Sequence, residues 1–129
     1  MRLLLYTNIL IPLLEDDEPR LPPAIRRRLA APDSIMIASA ASLWEIAIKA
    51  RTGKLLIAKK LAEIPGALDR LGMDPLLITF EHVLVELAQL PPTRDPFDRL
   101  LLAQCQVEGL RLVTVDRALA AHPLAWREA

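Results

Sequence analysis

The chain has 129 residues and a mass of 14.4 kDa, which fits one domain able to bury roughly two-thirds of its unfolded surface. Hydrophobic residues at 53% and charged residues at 25% exclude a disordered chain. Sixteen basic residues balance sixteen acidic ones, which excludes a general polyanion binder and leaves local patches for any nucleic-acid contact. Aromatics are only 4%, which argues against base stacking as the main binding mode. The single cysteine, Cys105, excludes a disulfide framework within the chain and a multi-cysteine zinc site, and it points to a reducing cytoplasm.

The opening run MRLLLYTNILIPLL resembles a weak signal peptide. Thr7, Asn8 and Pro12 interrupt it, however, and EDDEPR follows where small residues would be needed for cleavage. No apolar stretch reaches the roughly 18 residues of a membrane span. A buried strand over Arg2–Tyr6 running into a short helix is the better reading. Pro22 or Pro23 opens a helix through Leu29, which Ala31-Pro32 closes, and a strand follows at Ser34–Ala38. Ser42–Arg51 reads as a helix stopped by Gly53. Lys59–Leu71 reads as two helical pieces broken at Pro65, with Gly72 as terminator. Leu76–Thr79 is a third strand, Phe80–Leu90 a helix, and Pro96–Val107 a helix capped by Gly109. A fourth strand covers Arg111–Val115, a short helix Arg117–Ala121, and an edge strand Leu124–Trp126. Strands that are apolar throughout and separated by helices imply a three-layer α/β/α fold. Its sheet is mainly parallel, of four to five strands, with the Tyr6 strand central. In such sheets, sites form beyond the carboxyl ends of the strands.

Three acids stand at helix starts there: Glu45, Asp98 and Asp116, with Asp95 beside the second. Ser42-Leu43-Trp44-Glu45 fits a capping box, and Glu45 also pairs at i,i+4 with Lys49, so Glu45 has a structural reading as well as a functional one. Asp95 followed by Pro96 is an N-cap signature. Asp98 differs, because its helical neighbours at +3, +4 and +7 are Leu101, Leu102 and Cys105. A carboxylate on that apolar face is costly unless donors or a cation satisfy it, and such acids mark sites. Asp116 either caps the last helix or serves a site at the end of its strand. Brought together, the three would repel unless a divalent cation neutralised them, and an all-oxygen set suits Mg²⁺ or Mn²⁺. Such a centre can activate water and hold a phosphodiester. His82 and His122 lack partners at metal spacing, Cys105 reads as core, and no glycine-rich phosphate loop exists. Arg26-Arg27-Arg28 reads as a solvated helix face.

LLLYTNIL, SAASLWEIAIK, RDPFDRLLLAQ and LVTVDRAL, in this order and spacing, resemble PIN-domain proteins, and most of all the VapC-type toxins of bacterial toxin–antitoxin pairs. The likeness spans nearly the whole chain, as a single PIN-like domain over residues 1–129. It implies metal-dependent endoribonuclease activity on RNA, blocked by a VapB-type antitoxin, with a homodimer in the cytoplasm and no membrane association. It makes Glu45, Asp98 and Asp116 metal-site acids and Asp95 an auxiliary acid or cap. Thr7 and Thr114 become polar supports, and Arg94 and Arg99 contacts for RNA phosphates or a partner. Where the family pattern ends the first strand with Asp-Thr, this chain has Tyr6-Thr7. A phenol stays protonated near neutral pH and is a poor ligand for a hard cation, so the resemblance implies impaired catalysis. The alternative is an inactive PIN domain that serves as an antitoxin-binding module. A receiver-type signalling domain, which also gathers acids at a sheet edge, would need an acid pair near the first strand and a lysine near the last. Tyr6, Asn8 and Arg117 stand there instead.

Overall fold

A computed structural model describes residues 1–128. Four strands form one wholly parallel sheet: β1 (Arg2–Leu5), β2 (Ile35–Ser39), β3 (Asp74–Leu76) and β4 (Arg111–Val113). Their spatial order is β3-β2-β1-β4, so the first strand lies in the interior of the sheet. Helix α1 (Thr7–Leu14) leaves β1 directly, and α2 (Pro23–Ala30) completes the crossover to β2. Helices α3 (Ala40–Arg51) and α4 (Ile64–Arg70) lead to β3. Helices α5 (Phe80–Leu84) and α6 (Pro96–Glu108) lead to β4, and α7 (Arg117–Ala120) follows it.

Strand β1 explains the layering. Its side chains alternate between the two faces of the sheet, as the period of a strand requires. Leu3 and Leu5 pack with Ile9, Leu10, Ile46 and Leu68 in one core, whereas Leu4 packs with Leu101, Leu102, Cys105 and Leu119 in the other. All three leucines are fully buried, which is possible only when helices cover both faces. Burial on the second face pushes the Cys105 thiol up to about 12, so it is an inert core group.

Several boundaries depart from the sequence reading, each for a local reason. Helix α3 begins at Ala40, because the Ser39 hydroxyl accepts from the Ala41 amide at 3.0 Å and caps it two residues ahead of the Ser42 start. The third strand lies at Asp74–Leu76, ahead of 76–79. It tolerates Pro75 because it is an edge strand. The helix read over Phe80–Leu90 stops at Leu84. Beyond it, the Gln106 side chain donates to Glu86 O and accepts from the Ala88 amide, both at 2.8 Å, and holds this backbone extended. Pro65 does not break a helix, since a 3₁₀ turn (Leu61–Glu63) precedes α4 and Pro65 lies in that helix's first turn. Around Ala125 there is a single parallel bridge to Leu112, rather than a full strand.

Gly109 closes α6 in the left-handed region, at φ 68°, with open space where a Cβ would stand. Gly66 lies exposed inside α4, where a Cβ would meet only the flexible end of Arg70. Gly109→Ala should therefore cost about 1 kcal/mol, from backbone strain alone. Gly66→Ala should add about 0.5 kcal/mol, because alanine loses less entropy in a helix. Urea denaturation of the two variants checks the opposite signs.

Candidate active site

The strand order turns at β1. The chain moves outward through β2 to β3 and then returns to place β4 on the other side of β1. Crevices at such a switch point, beyond the carboxyl ends of the strands, are where parallel sheets bind ligands. Tyr6 follows β1 at this point. Its amide still donates to Val113 O at 2.9 Å, and its carbonyl accepts from the Ile9 and Leu10 amides as the cap of α1. The chain thus changes from strand to helix at Tyr6, which fixes the side chain at the sheet edge. Across the switch, Asn8 Nδ2 donates to Thr114 Oγ1 at 3.2 Å, and Thr114 Oγ1 accepts from the Asp116 amide at 3.0 Å.

Two carboxylates are buried here, Glu45 at 3% and Asp98 at 4% exposure. The Tyr6 hydroxyl donates to Asp98 Oδ1, and Thr93 Oγ1 donates to Oδ2 at 2.7 Å. Thr7 Oγ1 donates to Glu45 Oε1 at 2.5 Å, and Lys49 Nζ pairs with Oε2 at 3.0 Å. Every oxygen of the two acids therefore has a protein donor. Burial chiefly raises the phenol of Tyr6 above its ordinary range. Its hydrogen bond to Asp98 and the charges of Asp98, Glu45 and Asp95 add to that, so Tyr6 is a committed proton donor. Burial also raises Asp98. Its hydrogen bonds from Tyr6 and Thr93 pull the other way, and the Asp95 and Glu45 charges push it further up.

The other acids have different occupations. Asp95 is exposed and caps α6, with Oδ1 accepting from the Phe97 amide at 2.8 Å and the Asp98 amide at 3.4 Å. Asp116 is exposed and caps α7, with Oδ1 accepting from the Ala118 and Leu119 amides. Glu45 does not close a capping box with Ser42, whose buried hydroxyl has no hydrogen-bond partner among the described residues. Arg94 and Arg99 are exposed, and among the described residues neither side chain makes an ion pair or a hydrogen bond. His82 and His122 lie apart from this edge as buried structural groups. His82 Nδ1 accepts from the Thr79 amide at 3.0 Å and its Nε2 meets Glu108 Oε2 at 2.6 Å, while His122 Nε2 meets Gln89 O at 3.1 Å. Sequence reasoning missed Thr93 and Asn8. Thr93 stands in the turn PPTRDP, where no periodicity marks it, and Asn8 registers only as a polar break in an apolar run.

Among the described residues, no group of three or more His, Cys, Asp or Glu side chains is placed to hold a metal ion. A divalent cation needs free, charged oxygens at short range. Here the oxygens of Glu45 and Asp98 are taken, and Tyr6 presents a proton where a carboxylate would present a charge. The residues present do not fit Mg²⁺ or Mn²⁺ in this arrangement.

A family model described as the PIN domain matches residues 3–123. No curated protein matches the chain. Among solved structures, a chain of the VapBC2 complex from Rickettsia felis, bound to a DNA fragment from its promoter, is similar at a TM-score of 0.64 and 18% identity. The match covers 97% of this chain and 96% of that one. At that identity the likeness is one of fold. Among the described residues, no helix is long and apolar enough to cross a membrane.

Asp98→Asn tests how the buried acid is held. Asparagine can still accept from Tyr6 and donate to Thr93, yet it carries no charge. Because Asp98 holds its proton to a higher pH when folded than when unfolded, its contribution to stability is full below the ordinary aspartate value of 3.8. That contribution is lost as pH rises through the raised value. The variant should therefore gain on the wild type as pH rises from about 3.5 to about 7. Urea midpoints at the two pH values check this, and a variant no more stable at the higher pH would contradict it.

Proposed function

We propose that this chain, which belongs to the PIN domain family, is the toxin-type member of a VapBC-type toxin–antitoxin pair whose Mg²⁺- or Mn²⁺-dependent endoribonuclease activity is impaired by Tyr6. Members of the family are generally nucleases that use divalent metals. The resemblance assigns Glu45, Asp98 and Asp116 to the metal and Asp95 to an auxiliary place. The single observation that carries the impairment is the Tyr6 hydroxyl donating to Asp98 in a cluster whose buried oxygens are already taken. In the wild-type chain the oxygens of Glu45 and Asp98 are committed to protein donors and offer an ion no site.

What the chain's own groups do is clearer. Thr7 and Thr114 orient the strand ends, Thr7 through Glu45 and Thr114 through Asn8 and the Asp116 amide. Among the described residues, Lys49 supplies the one positive charge that touches the buried acids directly. Arg94 and Arg99 are free to meet phosphates of RNA. A VapB-type antitoxin, a homodimer and a cytoplasmic location complete this reading. The same sealed cluster also supports a second reading, a PIN domain that binds its antitoxin without cleaving RNA. The two readings differ only in how much activity remains.

Tyr6→Asp separates them from an intact enzyme. Aspartate is a favoured helix cap, and Tyr6 already caps α1, so the local backbone accepts it. The variant returns a carboxylate and removes the donor from Asp98. Losing a direct ligand should cost at least the 10- to 100-fold typical of outer contacts, so Tyr6→Asp should cleave RNA roughly a hundredfold faster in Mn²⁺. A time course on single-stranded RNA, with EDTA as control, reads it. Equal and robust metal-dependent cleavage by both proteins would overturn the proposal.

A further inference from the structure

We propose that Trp44 and Phe97 form a stacking platform for an unpaired RNA base beside the acid cluster, with Arg94 taking an adjacent phosphate; this rests on RNA being the ligand class proposed for the site. The chain has five aromatic side chains, and three of them belong to the acid cluster or directly precede one of its acids in the chain. Tyr6 seals the cluster, Trp44 directly precedes Glu45 on α3, and Phe97 directly precedes Asp98 on α6. The acids point inward, at 3% and 4% exposure, whereas Trp44 is 58% exposed.

The geometry suits a base. Trp44 and Phe97 meet edge to face, with ring centroids 5.5 Å apart and planes at 73°. This contact braces the indole while leaving it 58% exposed, so little rotational freedom is lost when a base stacks on it. Arg94 is exposed and lacks a side-chain partner among the described residues, whereas Arg99, two residues after Phe97 on α6, turns toward α5 and away from the platform. A chain of zero formal net charge has to concentrate positive charge locally to hold a polyanion, and the exposed Arg94, next in the chain to the Thr93 that holds Asp98, supplies one such charge at this edge. The buried acids repel phosphate weakly, because hydroxyl donors and Lys49 already compensate them. Low aromatic content argues against an array of stacked bases, and it leaves room for this single platform.

The test uses the full chain and a short fluorescein-labelled single-stranded RNA of mixed sequence, without divalent ions. Anisotropy reads binding, and a Trp126→Phe background makes indole emission report Trp44 alone. RNA should quench that emission. Trp44→Ala should weaken binding about tenfold, and Trp44→Tyr should restore most of it, as stacking on any aromatic face predicts. Arg94→Gln should flatten the dependence of log affinity on log salt by about 0.7, for one phosphate on a single strand, while Arg99→Gln should leave it unchanged. Unchanged binding and emission in Trp44→Ala would overturn the platform. So would a Trp44→Ala chain that loses a co-expressed protein partner but keeps RNA, because the face would then belong to that partner. Adding Trp44→Ala to Tyr6→Asp separates the two levels. Cleavage with an unchanged KM refutes the platform and spares the nuclease reading. Absence of both RNA binding by the wild type and cleavage by Tyr6→Asp refutes the RNA reading and the platform with it.

Discussion

Glu45 and Asp98 are buried at the carboxyl edge of the sheet, where each charged oxygen has to find a donor that water does not supply. The chain meets this requirement with hydroxyl groups and one ammonium. Tyr6 and Thr93 satisfy Asp98, while Thr7 and Lys49 satisfy Glu45. In a PIN domain that works with a divalent ion, the cation itself would compensate such acids. Here the protein does so internally, and the Tyr6 phenol is the decisive part of that arrangement. It is the donor that stands where the resemblance places an acid, and its own surroundings hold it protonated.

The fold makes this substitution consequential. Because β1 lies inside the sheet and the chain turns to helix at Tyr6, the side chain is held at the carboxyl edge of the sheet. It enters the second core beside Leu4, Ile37 and Leu102, where it is partly buried. The phenol is therefore anchored by apolar contact along its ring and by Asp98 at its hydroxyl. A metal ion would have to displace both, and the gain from binding two already compensated acids is small. Asp116, by contrast, sits on the far side of the switch with its oxygen committed to the amides of α7. The acids are thus held by three different helices, Glu45 within α3, Asp98 in the first turn of α6 and Asp116 as the cap of α7, each with its own local task.

Much of the architecture is legible in the sequence because it follows from burial. Leu3, Leu4 and Leu5 announce a strand covered on both sides, and apolar runs separated by helices announce a parallel sheet. Asp98 stands out for the same reason, since Leu101, Leu102 and Cys105 on its helix face are all fully buried. What the sequence hides are contacts between residues far apart in the chain. Gln106 ends a helix by gripping the backbone at residues 86 and 88, and no local pattern foretells it. Ser39, not Ser42, caps α3, because a run of small polar residues offers several caps and the tertiary position of β2 selects one. Thr93 and Asn8 act through hydroxyl and amide contacts that carry no periodicity. The Trp44–Phe97 pair joins residues from two helices and is likewise invisible until those helices pack.

The central claim is that the Tyr6 hydroxyl closes the acid cluster to divalent ions. The most direct measurement is electron paramagnetic resonance of Mn²⁺ titrated with the purified chain, since only free aqueous Mn²⁺ gives the sharp six-line signal. The wild type should leave that signal at its full amplitude, while Tyr6→Asp should deplete it in proportion to protein added. Stoichiometric depletion by the wild-type chain, unchanged by Tyr6→Asp, would contradict it.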